Sequence, residues 1–365
     1  MMQFRFAIIS DPHIAIPQTI DDVPSRFHLV EVSIPAFEQA IEHLEGLDLD
    51  FLLIPGDLTQ DGEAENHDWL QQRLKQLPFP AYVVPGNHDV PFPQNRDCYV
   101  GLDNFSDYYS HCGYDNPQKL YYTQEIMPGL QLIGLNSNQF DDKGRQIGRL
   151  DEEQLEWLEV ILPSLKNKQI FVMIHHNVIE HLPKQSQHEL GRRYMLENSK
   201  DLLKILKKYG VKLIFTGHLH VQDLAYQDGI YEMTTGSLVS YPHPYRIIEG
   251  EYENPGELKL TVQSHRVESV PGWEDLSITS RQFLGDRSAF FMSQLLTLPP
   301  LNLSKIEAEK YIPSLQYFWA DVAGGDGHFD FPEFPPLIRY FFYQFSIFNR
   351  PPNAKNVDNN ATLLL

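Results

Sequence analysis

The sequence predicts a layered α/β fold built on parallel strands. Three observations carry this. Short, wholly apolar runs alternate with segments of helical period. Residues 4–84 read in the order β-α-β-α-β. Polar motifs follow the apolar runs directly, where strands of an open α/β sheet would end.

Phe4 to Ile9 reads as a buried strand. Phe37, Ala40, Ile41 and Leu44 then repeat at helical spacing, with Pro35 near the helix start. Phe51 to Ile54 is a second buried strand, Glu63 to Leu77 a helix, and Ala81 to Val84 a third strand. Residues 91–118, rich in Pro, Asn and Asp, read as a long surface insertion. Leu130 to Leu135 is a strand, and Asp151 to Leu165 an amphipathic helix presenting Leu155, Leu158, Leu162 and Leu165 on one face. Ile170 to Ile174, Asp201 to Tyr209 and Val211 to Thr216 read as strand, helix and strand.

The texture then changes. Leu224 to Tyr226, Tyr231 to Thr234, Tyr245 to Ile248 and Glu257 to Gln263 are short strands separated by turns such as Gln227-Asp228-Gly229 and Asn254-Pro255-Gly256. This pattern predicts an antiparallel second sheet. From Trp273 the chain reads helical and aromatic. Ser304 to Glu307 is a capping box, and Ala308, Tyr311, Ile312, Leu315, Phe318, Trp319 and Val322 follow it at helical spacing. Leu337 to Phe348 is apolar on nearly every side, so it is buried or part of an interface. The expected organisation is a main domain over 1–270, a helical, aromatic-rich extension over 271–350, and a disordered tail over 351–365.

Composition narrows the function. The chain has 365 residues, 42% hydrophobic and 12% aromatic, enough for a full core. Lys+Arg 29 against Asp+Glu 49 gives a net charge of −20. A sequence-independent nucleic-acid binder displaces counterions with a basic surface, which the chain as a whole lacks, so a nuclease is disfavoured. Any phosphate must be captured locally, by cations. The two cysteines, Cys98 and Cys112, make neither a disulfide framework nor a CxxC metal site and fit a reducing compartment. No run approaches about 18 apolar residues, and no cleavable leader is visible, so a soluble cytoplasmic protein is expected.

Five polar motifs follow buried strands: Asp11-Pro12-His13, Gly56-Asp57, Gly86-Asn87-His88-Asp89, His175-His176 and Gly217-His218-Leu219-His220. Singly, each is an ordinary turn or an exposed pair. Jointly, and in this order, they point to one centre. Asp11 with His13, and His218 with His220, stand two apart, and in extended chain such positions point the same way. The glycines at 56, 86 and 217 permit tight turns that aim the next side chain. Carboxylate oxygen and neutral imidazole nitrogen without thiolate suit Mn, Fe, Zn or Ni. Asp57 has two oxygens and can bridge two ions about 3.5–4 Å apart, a spacing that clamps an in-line displacement at phosphorus, with an acidified metal-bound water as the nucleophile.

These motifs resemble the calcineurin-like metallophosphoesterase superfamily over roughly residues 4–265, and within it most resemble class III cyclic-nucleotide phosphodiesterases and glycerophosphodiesterases. The resemblance implies a four-layer α/β/β/α sandwich. It implies two divalent or mixed-valence metal ions (Mn, Fe or Zn). One would be held by Asp11, His13, Asp57 and His220, the other by Asp57, Asn87, His175 and His218. His88 would face the scissile phosphate and stabilise charge or protonate the leaving oxygen. Asp89 would hold the other nitrogen of His88, or serve only the turn. His176 would support the ligands or pack.

Two positions depart from the family's pattern. Gln60 stands where purple acid phosphatases place a tyrosine ligand, which argues against a coloured iron–tyrosinate centre. Asn177-Val178 follows the paired histidines where close relatives usually have proline, at a segment that shapes the substrate pocket. The implied function is hydrolysis of a small phosphodiester, most closely a 3′,5′-cyclic nucleotide. The alternatives are a phosphomonoesterase, a glycerophosphodiesterase or, outside enzymes, a metal-free protein-binding scaffold.

Other features have plainer expectations. Asn136-Ser137-Asn138 reads as a turn, or as part of the pocket rim. Arg246 is expected in strand packing. Asp326 to Glu333 imitates half of an EF-hand loop, but Val322 and Gly324 occupy positions that need carboxylates, so a turn is expected. The extension is expected to pack on the sandwich first, and to form a homodimer contact second.

Overall fold

The computed structural model describes residues 3–21, 26–254, 257–351 and 357–365; the turn at Pro255-Gly256 and part of the expected tail lie outside them. Along the chain come β1 (Gln3–Ile8), α1 (Ser33–Glu45), β2 (Phe51–Ile54), α2 (Ala64–Leu74), β3 (Ala81–Val83), α3 (Phe105–Tyr108), β4 (Tyr122–Met127), β5 (Leu130–Gly134), β6 (Asn138–Phe140) and β7 (Gln146–Gly148). They are followed by α4 (Glu152–Ile161), β8 (Gln169–Met173), α5 (Glu189–Arg192), α6 (Ser199–Lys208), β9 (Leu213–Thr216), β10 (Asp223–Gln227), β11 (Ile230–Thr234), β12 (Pro244–Asn254) and β13 (Glu257–Arg266). The extension holds α7 (Leu276–Thr297), α8 (Lys305–Ala308), α9 (Phe318–Ala323), α10 (Pro336–Gln344) and β14 (Asn360–Leu364).

Two six-stranded sheets face each other, in the orders β14-β13-β12-β1-β2-β3 and β10-β11-β9-β8-β5-β4. The central strands are buried on both faces, which is why they read as unbroken apolar runs. Alternation assigns each residue a side. In β8, Phe171 and Met173 point to the core between the sheets, where they join Phe6 and Phe215. Val172 and Ile174 point outward, with Ile214 of β9, onto Leu158 of α4 and Leu202 and Leu206 of α6. On the other side, Phe37, Ala40, Ile41 and Leu44 of α1 close the first sheet. The result is the expected four-layer α/β/β/α sandwich with a helical C-terminal region.

Four expectations are corrected. The strands after residue 222 do not form a sheet of their own. β11 pairs parallel with β9 and β10 antiparallel with β11, extending one sheet, while β12 pairs antiparallel with β1 and extends the other. They cover the sides of β1 and β9 that would otherwise be edges, and leave β14, β3, β10 and β4 at the sheet edges. The C-terminal residues, expected as a disordered tail, form β14 and pair with β13 from Lys259↔Leu364 to Gln263↔Asn360. Ala361 and Leu363 are buried there, an alternation too short to register as a strand beside Asn-rich chain.

The helix expected behind the capping box breaks after one turn. Ser304 accepts from the Glu307 backbone at 3.3 Å as predicted, but Pro313 lacks the donor a helix interior needs, and Ile312–Leu315 tightens into a 3-10 turn before α9. The insertion at 91–118 is only partly a surface feature: Phe105, Tyr109, Cys112 and Tyr114 are buried in the main core. Cys98 is exposed, and neither cysteine is in a disulfide.

Candidate metal centre

Five strand ends meet at one place. β1, β2 and β3 run parallel in one sheet and β8 and β9 parallel in the other. Their carboxyl ends release the five motifs toward the line where the two sheets come together. Asp11, His13, Asp57 and His220 then form one group, and Asp57, His175 and His218 a second, with the donor atoms of each group within 4.8 Å of one another. Asn87 joins the second, its Oδ1 3.2 Å from His175 Nε2.

The pairing at two-residue spacing is achieved differently from the extended chain expected. Asp11, His13, Asp57, His218 and His220 all have positive φ, at 47°, 41°, 48°, 67° and 58°. Non-glycine residues rarely adopt this left-handed conformation, which costs of order 1–3 kcal/mol each. Tight turns, with Pro12 or Leu219 between, swing both side chains of each pair inward. The glycines do more than permit turns. A Cβ on Gly86 would lie 2.1 Å from Asp57 Oδ1, and one on Gly217 2.4 Å from Asp11 Oδ2.

Hydrogen bonds fix which atoms face inward. His175 Nδ1 donates to the Pro55 carbonyl at 2.8 Å and His218 Nε2 to the Arg193 carbonyl at 3.2 Å. His175 Nε2 and His218 Nδ1 therefore face each other only 3.1 Å apart. His13 Nε2 and His220 Nε2 likewise approach to 3.3 Å. Ring nitrogens this close share a proton or, in its place, a cation. Asp57 lies between the groups: Oδ1 accepts from the His88 backbone at 2.9 Å, and Oδ2 is 3.7 Å from His13 Nε2 and 3.3 Å from His175 Nε2. The donor set fits divalent cations, with carboxylate and imidazole donors and no thiolate.

The electrostatics agree. Burial works to raise Asp57, but the charges of His175 and His88 overcome it and hold the carboxyl well below its usual range. Burial pushes His13 and His218 well below the ordinary histidine range, so both are neutral donors. Burial opposes charge on His175 too, yet Asp57 outweighs it and lifts the group to about 9, so a cation at Nε2 would take the place of a proton there.

His88 lies beside this centre and outside both groups. Its Nδ1 donates to the Gln60 carbonyl at 2.6 Å, with Asp61 Oδ1 at 3.5 Å, leaving Nε2 for the cleft. Burial is overcome by the charges of Asp57 and Asp61, raising His88 to about 9. Asp89 does not orient it. Asp89 Oδ1 accepts from the Thr59 backbone and hydroxyl at 2.8 and 3.0 Å, and Oδ2 from the Gly86 backbone at 2.8 Å. It staples the loop after β2 to the loop after β3, and the Gln60 carbonyl takes the orienting place predicted for it.

His176 is buried, bonded through Nδ1 to Ser137 Oγ at 2.7 Å, with its ring centre 4.4 Å from that of His218. Asn136-Ser137-Asn138 is therefore part of the support and is buried: Asn138 also donates to the Pro85 carbonyl at 2.7 Å, ahead of Asn87. Arg246 is buried as expected, and its guanidinium donates to the Thr234 and Asp358 carbonyls. Asp326 sits in a turn and accepts from the Asp358 and Asn359 backbones, anchoring β14.

Sequence reasoning missed three features. His28 stacks on His13 with ring centres 4.5 Å apart and bonds Gln60 at 3.0 Å, but it follows no strand and so carried no signal. Glu232, fully buried in β11, accepts from the Val178 and Ile179 backbones and the Thr216 hydroxyl, holding the loop after the paired histidines. Arg192 and Arg193 line the cleft above the centre and make no ion pair among the described residues. The adjacent arginines were legible as the local cations that a chain of charge −20 needs.

Comparison with known proteins agrees with this architecture. The family model described as calcineurin-like phosphoesterase matches residues 4–222. A protein of Arcobacter nitrofigilis named "Probable glycerophosphodiester phosphodiesterase GpdQ" is 30% identical over 193 residues, covering 52% of this chain and 63% of that protein. A 3′,5′-cyclic-nucleotide phosphodiesterase of Nostoc is 28% identical over 188 residues, covering 51% of this chain and 62% of that one. The matches thus span less than two thirds of these relatives. The crystal structure of a dimetal phosphatase from Danio rerio superposes with a TM-score of 0.54 at 14% identity, covering 72% of this chain and 96% of that one. Among the described residues, no helix is long and apolar enough to cross a membrane.

Proposed function

This chain belongs to the calcineurin-like phosphoesterase family, and we propose that it is a dinuclear-metal phosphodiesterase whose substrate is a 3′,5′-cyclic nucleotide. The observation that carries the reading is the pair of donor groups sharing Asp57. Asp11, His13, Asp57 and His220 would hold one cation, and Asp57, Asn87, His175 and His218 the other. Such a pair would supply an acidified water and neutralise charge on the phosphate oxygens.

The chain's own residues supply the rest. His88, its Nδ1 committed to Gln60, presents Nε2 to the cleft, where it can give a proton to the leaving oxygen. Arg192 and Arg193 attract the anionic substrate against the field of the chain. Glu232 fixes the loop carrying Asn177-Val178 so that the His175 backbone cannot drift.

A glycerophosphodiester is the second reading, favoured by the name of the 30% identical relative. A hydrolysis panel with added Mn, Fe or Zn separates the two. It compares cyclic AMP, glycerophosphocholine, bis(p-nitrophenyl) phosphate and p-nitrophenyl phosphate. Turnover of cyclic AMP ahead of glycerophosphocholine supports the first reading. Monoester turnover alone overturns both.

A further inference from the structure

The cleft above the centre, about 680 Å³, has a wall that the matched family region does not supply. Leu284 and Phe291 of α7 and Trp319 and Ala323 of α9 line it. We propose that α7 and α9 form an aromatic shelf that holds the base of the substrate while the centre holds its phosphate. The proposal rests on the nucleotide reading above and names the residues that would select it.

The shelf adjoins the metal-ligand loop. Trp319, Val322 and Ala323 pack with Leu219 and Val221, residues of and beside the His218–His220 turn, and Tyr194 packs against the same patch. The Gln222 backbone donates to the Ala323 carbonyl at 3.0 Å, tying α9 to that turn. Two ring pairs stand by this patch: the Tyr194 ring is 4.9 Å from that of His218, and the Phe291 ring 4.9 Å from that of Trp319. Arg193 lies over Tyr194, its guanidinium carbon 4.7 Å from the ring centre. Trp319 and Phe291 are only half-buried, and both stand in the cleft wall.

This chemistry favours a flat heteroaromatic partner over an acyl chain. Tryptophan, tyrosine and a planar guanidinium offer faces on which any base stacks, an effect of roughly tenfold or more per ring. The paired arginines beside the shelf suit a ligand that is anionic at one end.

The test is equilibrium binding by calorimetry to the Mn-loaded full chain, with AMP and ribose 5-phosphate as probes. They share sugar and phosphate and differ only in the base. The wild type should bind AMP at least about tenfold more tightly. Trp319→Ala should bring that ratio close to one while ribose 5-phosphate affinity stays within about twofold, and Trp319→Phe should restore most of it. Phe291→Ala, at a separate position, should lower the ratio if Trp319→Ala unfolds the extension.

A wild-type ratio near one overturns the shelf. So does an equal loss for both probes, which marks a merely structural role. Tighter binding of octyl phosphate than of AMP overturns it in favour of an acyl chain. Turnover of cyclic AMP is read separately. A base-dependent ratio without turnover sinks the catalytic reading alone, and turnover with a ratio near one sinks the shelf alone.

Discussion

Replacing His88 with alanine isolates its proton from the metal centre. His88 lies in neither donor group, and its link to Asp57 runs through its backbone N–H at 2.9 Å, which alanine keeps. The variant should therefore hold metal normally. What it loses is the imidazole whose Nδ1 is fixed on Gln60 at 2.6 Å and whose Nε2 serves the leaving oxygen. A positioned general acid contributes roughly 10²–10⁴ in rate, or about 3–5 kcal/mol of barrier.

That loss should appear in kcat for cyclic AMP, where an alkoxide departs and needs the proton. It should be smaller by about tenfold or more for bis(p-nitrophenyl) phosphate, whose leaving group departs unprotonated. Steady-state kinetics on both substrates, with metal content measured on the same samples, reads the difference. An equal fall for the two substrates, or an unchanged kcat, would refute the proton role and leave His88 as a charge stabiliser at most.

Gly86→Ala puts a Cβ 2.1 Å from Asp57 Oδ1; it should cut metal content and lower activity by about tenfold or more while circular dichroism stays unchanged. His181 lies between Asp223 Oδ2 and Glu232 Oε1, at 2.5 and 3.1 Å. Its loss in His181→Gln should cost about 3–5 kcal/mol in denaturant unfolding, since two carboxylates lose their shared cation. Burial opposes the His181 charge, but Glu232 and Asp223 raise it to about 10, above the ordinary 6.5. Its contribution is therefore complete below pH 6.5 and declines toward pH 10, so the gap between wild type and variant should narrow as pH rises through that window. Truncation after residue 357 removes β14 and the Asp358 carbonyl that accepts from buried Arg246. It should cost about 1.5–3 kcal/mol for that bond alone and raise aggregation from the bared β13 edge, both visible on thermal scanning.

The centre was legible because its chemistry sits at strand ends, and strand ends are where apolar runs stop. Asp11, Asp57 and His218 each follow such a run within three residues of its last strand residue. Asp89 was misread because adjacency to His88 in sequence suggested contact, whereas the turn points its carboxylate at the Thr59 and Gly86 backbones. His28 and Glu232 could not be found that way. One follows no strand, and the other is a charged residue in the middle of β11 whose partners come from the loop at 177–179. Sheet membership of β10 to β13 was equally hidden: hairpin turns fix which strands are neighbours locally, but not which distant edge they cover. Pro313 was visible as a breaker, yet the periodicity around it ran on, and periodicity alone reports a face and not a continuous helix.

If two cations share Asp57, anomalous diffraction from Mn-loaded crystals should locate both. Two peaks are expected about 3.5–4 Å apart, one among Asp11, His13 and His220 and one among Asn87, His175 and His218, with Asp57 between them. A single peak, or two peaks with Asp57 turned away from either, would contradict that sharing.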